Sequence, residues 1–302
     1  MELHNAAVTT QRSKTLPWMD EALIVPLGDI QYGPEACDVE RFKRHVEWAV
    51  DQPNAYFIGM GDYTDLASPS NRGHLRALVD QGELYDTVED TLDNAAQEIL
   101  EELQEILAPT KGRWLGLLEG HHWWKFSDGT TSDTRLCRFL DAPFLGTCAY
   151  VRVGFMKPRS VGHYQQPGFT IWAHHGRGSG VTQAAPLNKL ERIVQAFDAD
   201  VYLIGHHHKK AGAKLQRIVP VWGPRGTKGH RLEHKNLIIA STGGFLRGYM
   251  AGSTRGGLPK GNYVESGMMT PVAMGGVVIY ARPRLLKDSK GTAATVDLDI
   301  SI

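Results

Sequence analysis

Cysteine is scarce: Cys37, Cys137 and Cys148 are the only three in 302 residues. An odd, scattered set builds no disulfide framework, and no C-x-x-C pair occurs, so neither a stapled secreted fold nor a thiolate zinc site is expected. That usage fits a reducing compartment, and the expected location is the cytoplasm. No run of about 18 apolar residues occurs, so no membrane span is expected. The first seventeen residues, MELHNAAVTTQRSKTLP, carry no apolar stretch of the kind a secretory signal needs. Net charge is also missing, since 33 Lys and Arg balance 33 Asp and Glu. A role driven by overall attraction to nucleic acid or an anionic membrane gains nothing from that total. Three common catalytic signatures are absent as well: the G-x-x-x-x-G-K-[ST] phosphate loop, the H-E-x-x-H zinc helix and the G-x-S-x-G nucleophile elbow.

What is present is a balanced globular composition, 42% apolar and 22% charged. Apolar runs punctuated by helical spacing give the order of elements. EALIVPLGDIQ (21–31), NAYFIGMGD (54–62), GRWLGLLEGHH (112–122), VRVGF (151–155), FTIWAHH (169–175) and ADVYLIGHHH (199–208) read as strands. Helical patterns cover 35–50, 75–107, 131–141 and 185–198. Four further runs, LQRIVPVW, NLIIAST, GGVVIYARP and ATVDLDI, make the last third strand-rich. The expected fold is α/β, a two-sheet β-sandwich flanked by helices. Residues 1–20 are expected to be an N-terminal tail and 21–302 a single domain. The Gly-rich segment 243–275 is expected to be a long loop, and loops of that length are often functional.

Charge is uneven locally. Residues 80–105 hold ten acids and no Lys or Arg, the pattern of a wet helix face. Residues 209–235 hold eight bases, among them Lys209, Lys214, Arg217, Arg225, Lys228 and Lys235, against the single acid Glu233. That run is either a solvated strand and loop or a face turned to an anionic substrate.

Five of the strands end in short polar signatures: GDIQ, GDYTD, EGHH, AHHG and GHHH. In open α/β sheets ligands gather beyond the carboxyl ends of the strands. Seven of the thirteen histidines fall in the last three signatures. One such histidine is most simply a satisfied core residue; three clusters placed alike and joined by two Gly-Asp ends point to a metal centre, because imidazole and carboxylate together suit Zn, Fe and Mn.

In their order the five signatures resemble the calcineurin-like metallophosphoesterase family, whose motifs run D-x-H, G-D-x-x-D/N, G-N-H-D/E, a lone His, and G-H-x-H. Here they read Asp29-Ile30-Gln31, Gly61-Asp62-Tyr63-Thr64-Asp65, Gly120-His121-His122, His174-His175 and Gly205-His206-His207-His208. The resemblance spans residues 23–208. It implies two metals: Asp29, Gln31, Asp62 and His208 on the first, with Asp62 bridging and His121, His174 and His206 completing the second. His122 would stand beside the phosphoryl group as proton donor, oriented by Asp65. His207 would be structural, and His175 would support the ligands rather than coordinate. Two positions depart from the family pattern, Gln31 for its usual His and His121 for its usual Asn. The first site is then rich in oxygen and the second in imidazole, which suits Mn or Mg in one and Zn or Fe in the other. Two divalent cations, with Mn foremost, are the implied cofactors.

The implied reaction is hydrolysis of a phosphoric ester. Paired cations about 3.5–4 Å apart share a hydroxide that attacks phosphorus, and His122 protonates the leaving oxygen. The expected substrate is a phosphodiester or phosphomonoester, including nucleotides. Trp123 is a candidate to stack on a base. Arg177 is a candidate to hold a phosphate, and His175 to sit near substrate; Arg247 and Tyr249 of the Gly-rich segment are further candidates. Two alternatives stand beside this reading: a metal-dependent DNA or RNA nuclease, drawing on the basic run, and a catalytically inactive scaffold, permitted by Gln31 and His121.

Overall fold

A computed structural model of the protein describes residues 10–67, 69–156, 166–178, 180–221, 231–288 and 291–302. The order of elements in the first half is β1 (Thr10–Leu16), β2 (Ala22–Leu27), α1 (Val39–Val50), β3 (Ala55–Gly59), α2 (Pro69–Asp80), α3 (Asp86–Leu107), β4 (Trp114–Leu118), α4 (Ser132–Leu140), β5 (Phe144–Gly146) and β6 (Cys148–Phe155). The second half continues with β7 (Gly168–His174), α5 (Ala185–Ala196), β8 (Val201–Ile204), β9 (Lys210–Val221), β10 (Arg231–Gly244), β11 (Thr254–Arg255), β12 (Leu258–Pro259), α6 (Tyr263–Ser266), β13 (Gly275–Gly276), β14 (Val278–Asp288) and β15 (Gly291–Ser301).

Two sheets form. One has the order β1-β6-β7-β8-β10-β13, with β9 added on β10; the other runs β15-β14-β2-β3-β4-β5. Strand alternation distributes the side chains between layers. In the second sheet Ile24, Ile58 and Leu115 face Val151, Ile171, Val201 and Ile238 of the first, making the core between the sheets. The opposite faces are covered by helices. Leu23, Val25, Phe57 and Leu117 pack under Phe42 and Val46 of α1, Leu100 and Leu103 of α3, and Leu136 of α4. Trp172, Tyr202 and Ile239 pack under Leu190 of α5. A strand covered on both faces is apolar at every position, which is why ALIVPL and VYLI read as unbroken runs. The α/β sandwich with a strand-rich last third is the fold of the chain.

Two expectations are corrected. Residues 10–16 of the expected tail are a strand: β1 pairs in parallel with β6 over seven residues, and Leu16 is buried. Its unbroken polar run, TQRSKT before Leu16, masked it, because nothing apolar marks this edge strand before its last residue. The helix expected over 75–107 is broken. Gly82 sits at φ 69°, and the amides of Gly82 and Glu83 close back on the carbonyls of Val79 and Leu78. This is the glycine-capped ending that satisfies the last carbonyls of a helix, so α2 stops and α3 starts anew at Asp86. In the Gly-rich segment the structure places β11, β12, α6 and β13.

Topology then sets the site. Strands β2, β3 and β4 run parallel, as do β7, β8 and β10. Their carboxyl ends therefore lie at one edge of each sheet. The two edges meet there: the backbone N–H of His206, after β8, donates to both oxygens of Asp29, after β2, at 3.1 and 2.8 Å.

Candidate metal centre

The loops at this edge share a backbone signature. Asp29, Gln31, Asp62, His206 and His208 all have positive φ, between 48° and 66°, and they are five of only eight non-glycine residues to do so among the described residues. Left-handed backbone is disfavoured for residues with a Cβ, and such strain concentrates at functional sites. The loops hold one another in it. The amides of Ile30 and Gln31 both donate to the carbonyl of Asp62, at 2.9 and 3.0 Å, and the amide of Asp29 donates to Gly61 O. Gly120 is obligatory, because a Cβ there would collide with the backbone nitrogen and the carboxylate of Asp62.

Four side chains converge. Asp62, His121, His175 and His206 each offer one ligand atom, and these atoms all lie within 4.8 Å of one another. Asp62 Oδ1 accepts the backbone N–H groups of His121 and of His122, the latter at 3.0 Å. Its Oδ2 faces His175 Nε2 at 3.2 Å. The Nδ1 atoms of His121 and His206 face each other at 3.2 Å, a spacing at which one cation could be held by both rings. One carboxylate and three imidazoles are a donor set that suits a transition metal, and this group could hold a metal ion.

His174 is outside the group and His175 is inside it. The reason is strand alternation: Ile171 and Ala173 point into the core between the sheets, while Trp172 points to the α5 side. His174 shares the parity of Trp172 and stacks on it, centroids 5.8 Å apart, with its Nδ1 accepting from the Gly176 amide at 2.7 Å. His175 shares the parity of Ala173. Its Nδ1 lies 2.7 Å from the carbonyl of Met60, which leaves Nε2 for the centre. Counting parity along Ile171-Trp172-Ala173-His174-His175 was the signal in the sequence for this choice.

Beside this group stand the other expected ligands. Asp29 and Gln31 are buried, and His208 Nε2 lies 3.9 Å from Asp29 Oδ1. The Nδ1 of His208 is buried with no hydrogen-bond partner among the described residues. Burial pushes the Asp29 carboxyl up to about 8, with the His175 charge opposing and Asp62 adding to the rise. An acid raised so far stays protonated at neutral pH unless positive charge joins it, and buried charges are ordinarily paired or bound to metal. For His175, burial works towards the neutral ring, yet the hydrogen bond and charge of Asp62 outweigh it and raise it to about 9. Burial lowers His206 to about 3 and His208 to about 4, which keeps both rings neutral, whereas His175 would have to release its proton to a bound cation.

His122 and Asp65 form a pair at the same edge, Nδ1 to Oδ1 at 2.9 Å, with His122 Nε2 turned towards Asp62 Oδ2 at 3.9 Å. Burial acts to lower His122, but the hydrogen bond to Asp65 and the charges of Asp62 and Asp65 prevail and raise it.

The remaining candidates fall differently. His207 turns away, its Nε2 3.3 Å from Lys189 Nζ. Arg177 is exposed, and its carbonyl accepts from Lys189 at 2.7 Å. Trp123 is partly exposed and carries Arg72 over its ring; Trp124 is buried. Arg247 donates to Glu35 O at 3.4 Å, and the Tyr249 hydroxyl donates to Met269 O at 2.7 Å. Four residues of the basic run are engaged elsewhere. Lys214 pairs with Asp299 at 2.6 Å, Arg217 with Asp198 at 2.8 Å and Lys235 with Asp200 at 2.9 Å, while Lys209 donates to the carbonyls of residues 180–182. Arg225 and Lys228 lie outside the described residues. The ten-acid run is mostly a wet face; Asp93 and Glu102 are exceptions, accepting from Trp124 Nε1 and the Tyr32 hydroxyl.

Two supporting residues went unnoticed in the sequence. Asp133, fully buried at the start of α4, accepts the Gly120 amide at 3.2 Å, and burial first of all pushes its carboxyl up to about 7. Arg72 of α2 donates to the carbonyl of His121. Neither belongs to a strand-end motif, and nothing in the sequence ties them to positions about 13 and 49 residues away.

No family model and no curated protein matches the chain. Among solved structures, a double mutant of Vps29 from Entamoeba histolytica aligns over 67% of this chain and 89% of its own, at 13% identity and a TM-score of 0.22. A superposition that loose carries no argument about the site.

Proposed function

We propose that the chain is a metal-dependent hydrolase of phosphoric esters, working with two divalent cations, Mn foremost and Zn, Fe or Mg as the others. The observation that carries this reading is the convergence of Asp62, His121, His175 and His206 at the edge where the His122–Asp65 pair also stands. Those four would hold one cation; Asp29, Gln31 and His208, with Asp62 shared, would hold the other. Bound there, the cations would supply charge that polarises a phosphoryl oxygen and acidifies water near neutral pH. The chain's own work is positioning and proton transfer. The backbone amides of His121 and His122 fix the Asp62 carboxylate. Asp65 Oδ1 stands 2.9 Å from His122 Nδ1, an ion-pair contact that orients the ring and leaves Nε2 to give its proton to the leaving oxygen. The upward shift of His122 favours the protonated ring that a donor needs. We place the protein in the cytoplasm, where its three free cysteines suit a reducing medium.

The test is turnover of a p-nitrophenyl phosphodiester and the matching monoester by chelator-stripped protein resupplied with each cation. Mn-dependent release, with two cations bound per chain, is expected. Binding without turnover under any cation would favour the inactive scaffold. Cleavage of DNA in preference to small esters would favour the nuclease, a reading that the ion pairs of Lys214, Arg217 and Lys235 weaken.

A further inference from the structure

Beside the centre, a cavity of about 220 Å³ opens between α2, α3 and residues 123–125. Its main walls are Arg72, Leu75, Val79, Leu92, Trp123 and Trp124. Arg72, Leu75 and Val79 are spaced by three and four along α2, so they share one helix face.

The walls are tied to the site. The Arg72 guanidinium lies over the Trp123 ring, 4.9 Å from its centroid, and donates through Nη2 to the carbonyl of His121. Its Nη1 is buried and has no hydrogen-bond partner among the described residues. A buried donor left unpaired is costly, and an acceptor carried by a bound ligand would satisfy it. Trp124 has its Nε1 engaged by Asp93 Oδ1 at 2.7 Å, and Asp93 Oδ2 in turn accepts from the Ser127 amide at 2.8 Å. That indole is locked, and what it offers the cavity is carbon surface.

Size, surface and position together define an occupant. A cavity of about 150 Å³ takes a benzene ring, so this one suits a single ring or a fused pair. Two indoles and three aliphatic side chains favour a flat apolar group, and Arg72 Nη1 favours one that carries an oxygen or nitrogen acceptor. Trp123 directly follows His122, and Arg72 joins the cavity wall to the carbonyl of His121, so a group seated here would lie next to the candidate proton donor. We infer that this cavity is the leaving-group subsite, taking the aromatic ring, aryl or nucleobase, of the ester that is cleaved. The assignment rests on the phosphoesterase reading given above.

The ring and the reaction are tested separately. Metal-free protein is titrated with phenol and with adenosine, neither of which carries phosphate, and tryptophan fluorescence is followed. Mn-loaded protein is then assayed on phenyl and methyl phosphodiesters. Saturable quenching is expected, stronger with adenosine if a nucleobase is the occupant and with phenol if a simple aryl group is. The double variant Leu75→Phe, Val79→Phe fills the cavity. It is expected to abolish the quenching and to lower the phenyl-to-methyl ratio of kcat/KM by about tenfold or more. The intrinsic reactivity of phenyl esters cancels in that comparison with the wild type. Should the filled variant fail to fold, Trp123→Ala, at a partly exposed position, is expected to weaken both readouts. No saturable response in the wild type, or an unchanged ratio in a folded variant, overturns the proposal. Ring binding without turnover of any ester would instead sink the phosphoesterase reading and leave the cavity as an aromatic-ligand site.

Discussion

The neighbours His174 and His175 are separated by a single experiment. His175 Nε2 faces Asp62 at 3.2 Å, whereas His174 stacks on Trp172 with its Nδ1 held by the Gly176 amide. His175→Ala is expected to weaken cation binding by more than the roughly 10–100-fold lost with an outer partner, while His174→Ala leaves stoichiometry intact; titration calorimetry on both variants checks this. At His122, replacement by Ala is expected to cut kcat by about 10²–10⁴ with metal content unchanged by elemental analysis. Asp65→Asn tests the coupling. Asp65 raises His122 by its hydrogen bond and its charge; a proton donor fails as pH climbs through its pKa. The alkaline limb of the rate profile should therefore move to lower pH in this variant. A limb that stays in place would remove Asp65 from this role. Residue identities at these positions were legible in the strand-end motifs, and parity along a strand was legible too once β7 was fixed. Arg72 and Asp133 were not, because what joins them to the motifs is contact across the fold.

Strand ends and glycine caps decide where side chains stand. The apolar runs of β2, β3, β4, β7 and β8 were readable because both faces of each are covered, and each ends where a glycine or a left-handed residue lets the next loop cross. The end of α2 was also written in the chain, as Gly82, yet helical spacing continues on either side of it and hid the break. Gly82→Ala forces a side chain into φ 69° in otherwise open space, so the expected loss is about 1 kcal/mol, seen as a lower midpoint in thermal unfolding. Gly120→Ala is a different matter, since the added Cβ meets Asp62 itself. Loss of cation binding with little loss of secondary structure is the expected result by calorimetry and circular dichroism.

Across the whole molecule, β1 is the element whose removal tells most. It covers the edge of β6 through seven parallel pairs and buries Leu16. Deleting residues 1–16 is expected to lower the unfolding midpoint and to promote association through the bared edge of β6, measured by thermal unfolding and light scattering. A variant as stable and monodisperse as the full chain would return this segment to the status of a tail. The α/β class, the strand-rich last third and the strand ends that carry chemistry are properties of local pattern: side-chain period and apolar run length are set by the residues themselves. How the two sheet edges meet over Asp29 and His206, and the cavity that Arg72 and Trp123 share beside the centre, are set by packing. Those arrangements depend on contacts between segments tens to hundreds of residues apart, and no local period encodes a distance through space.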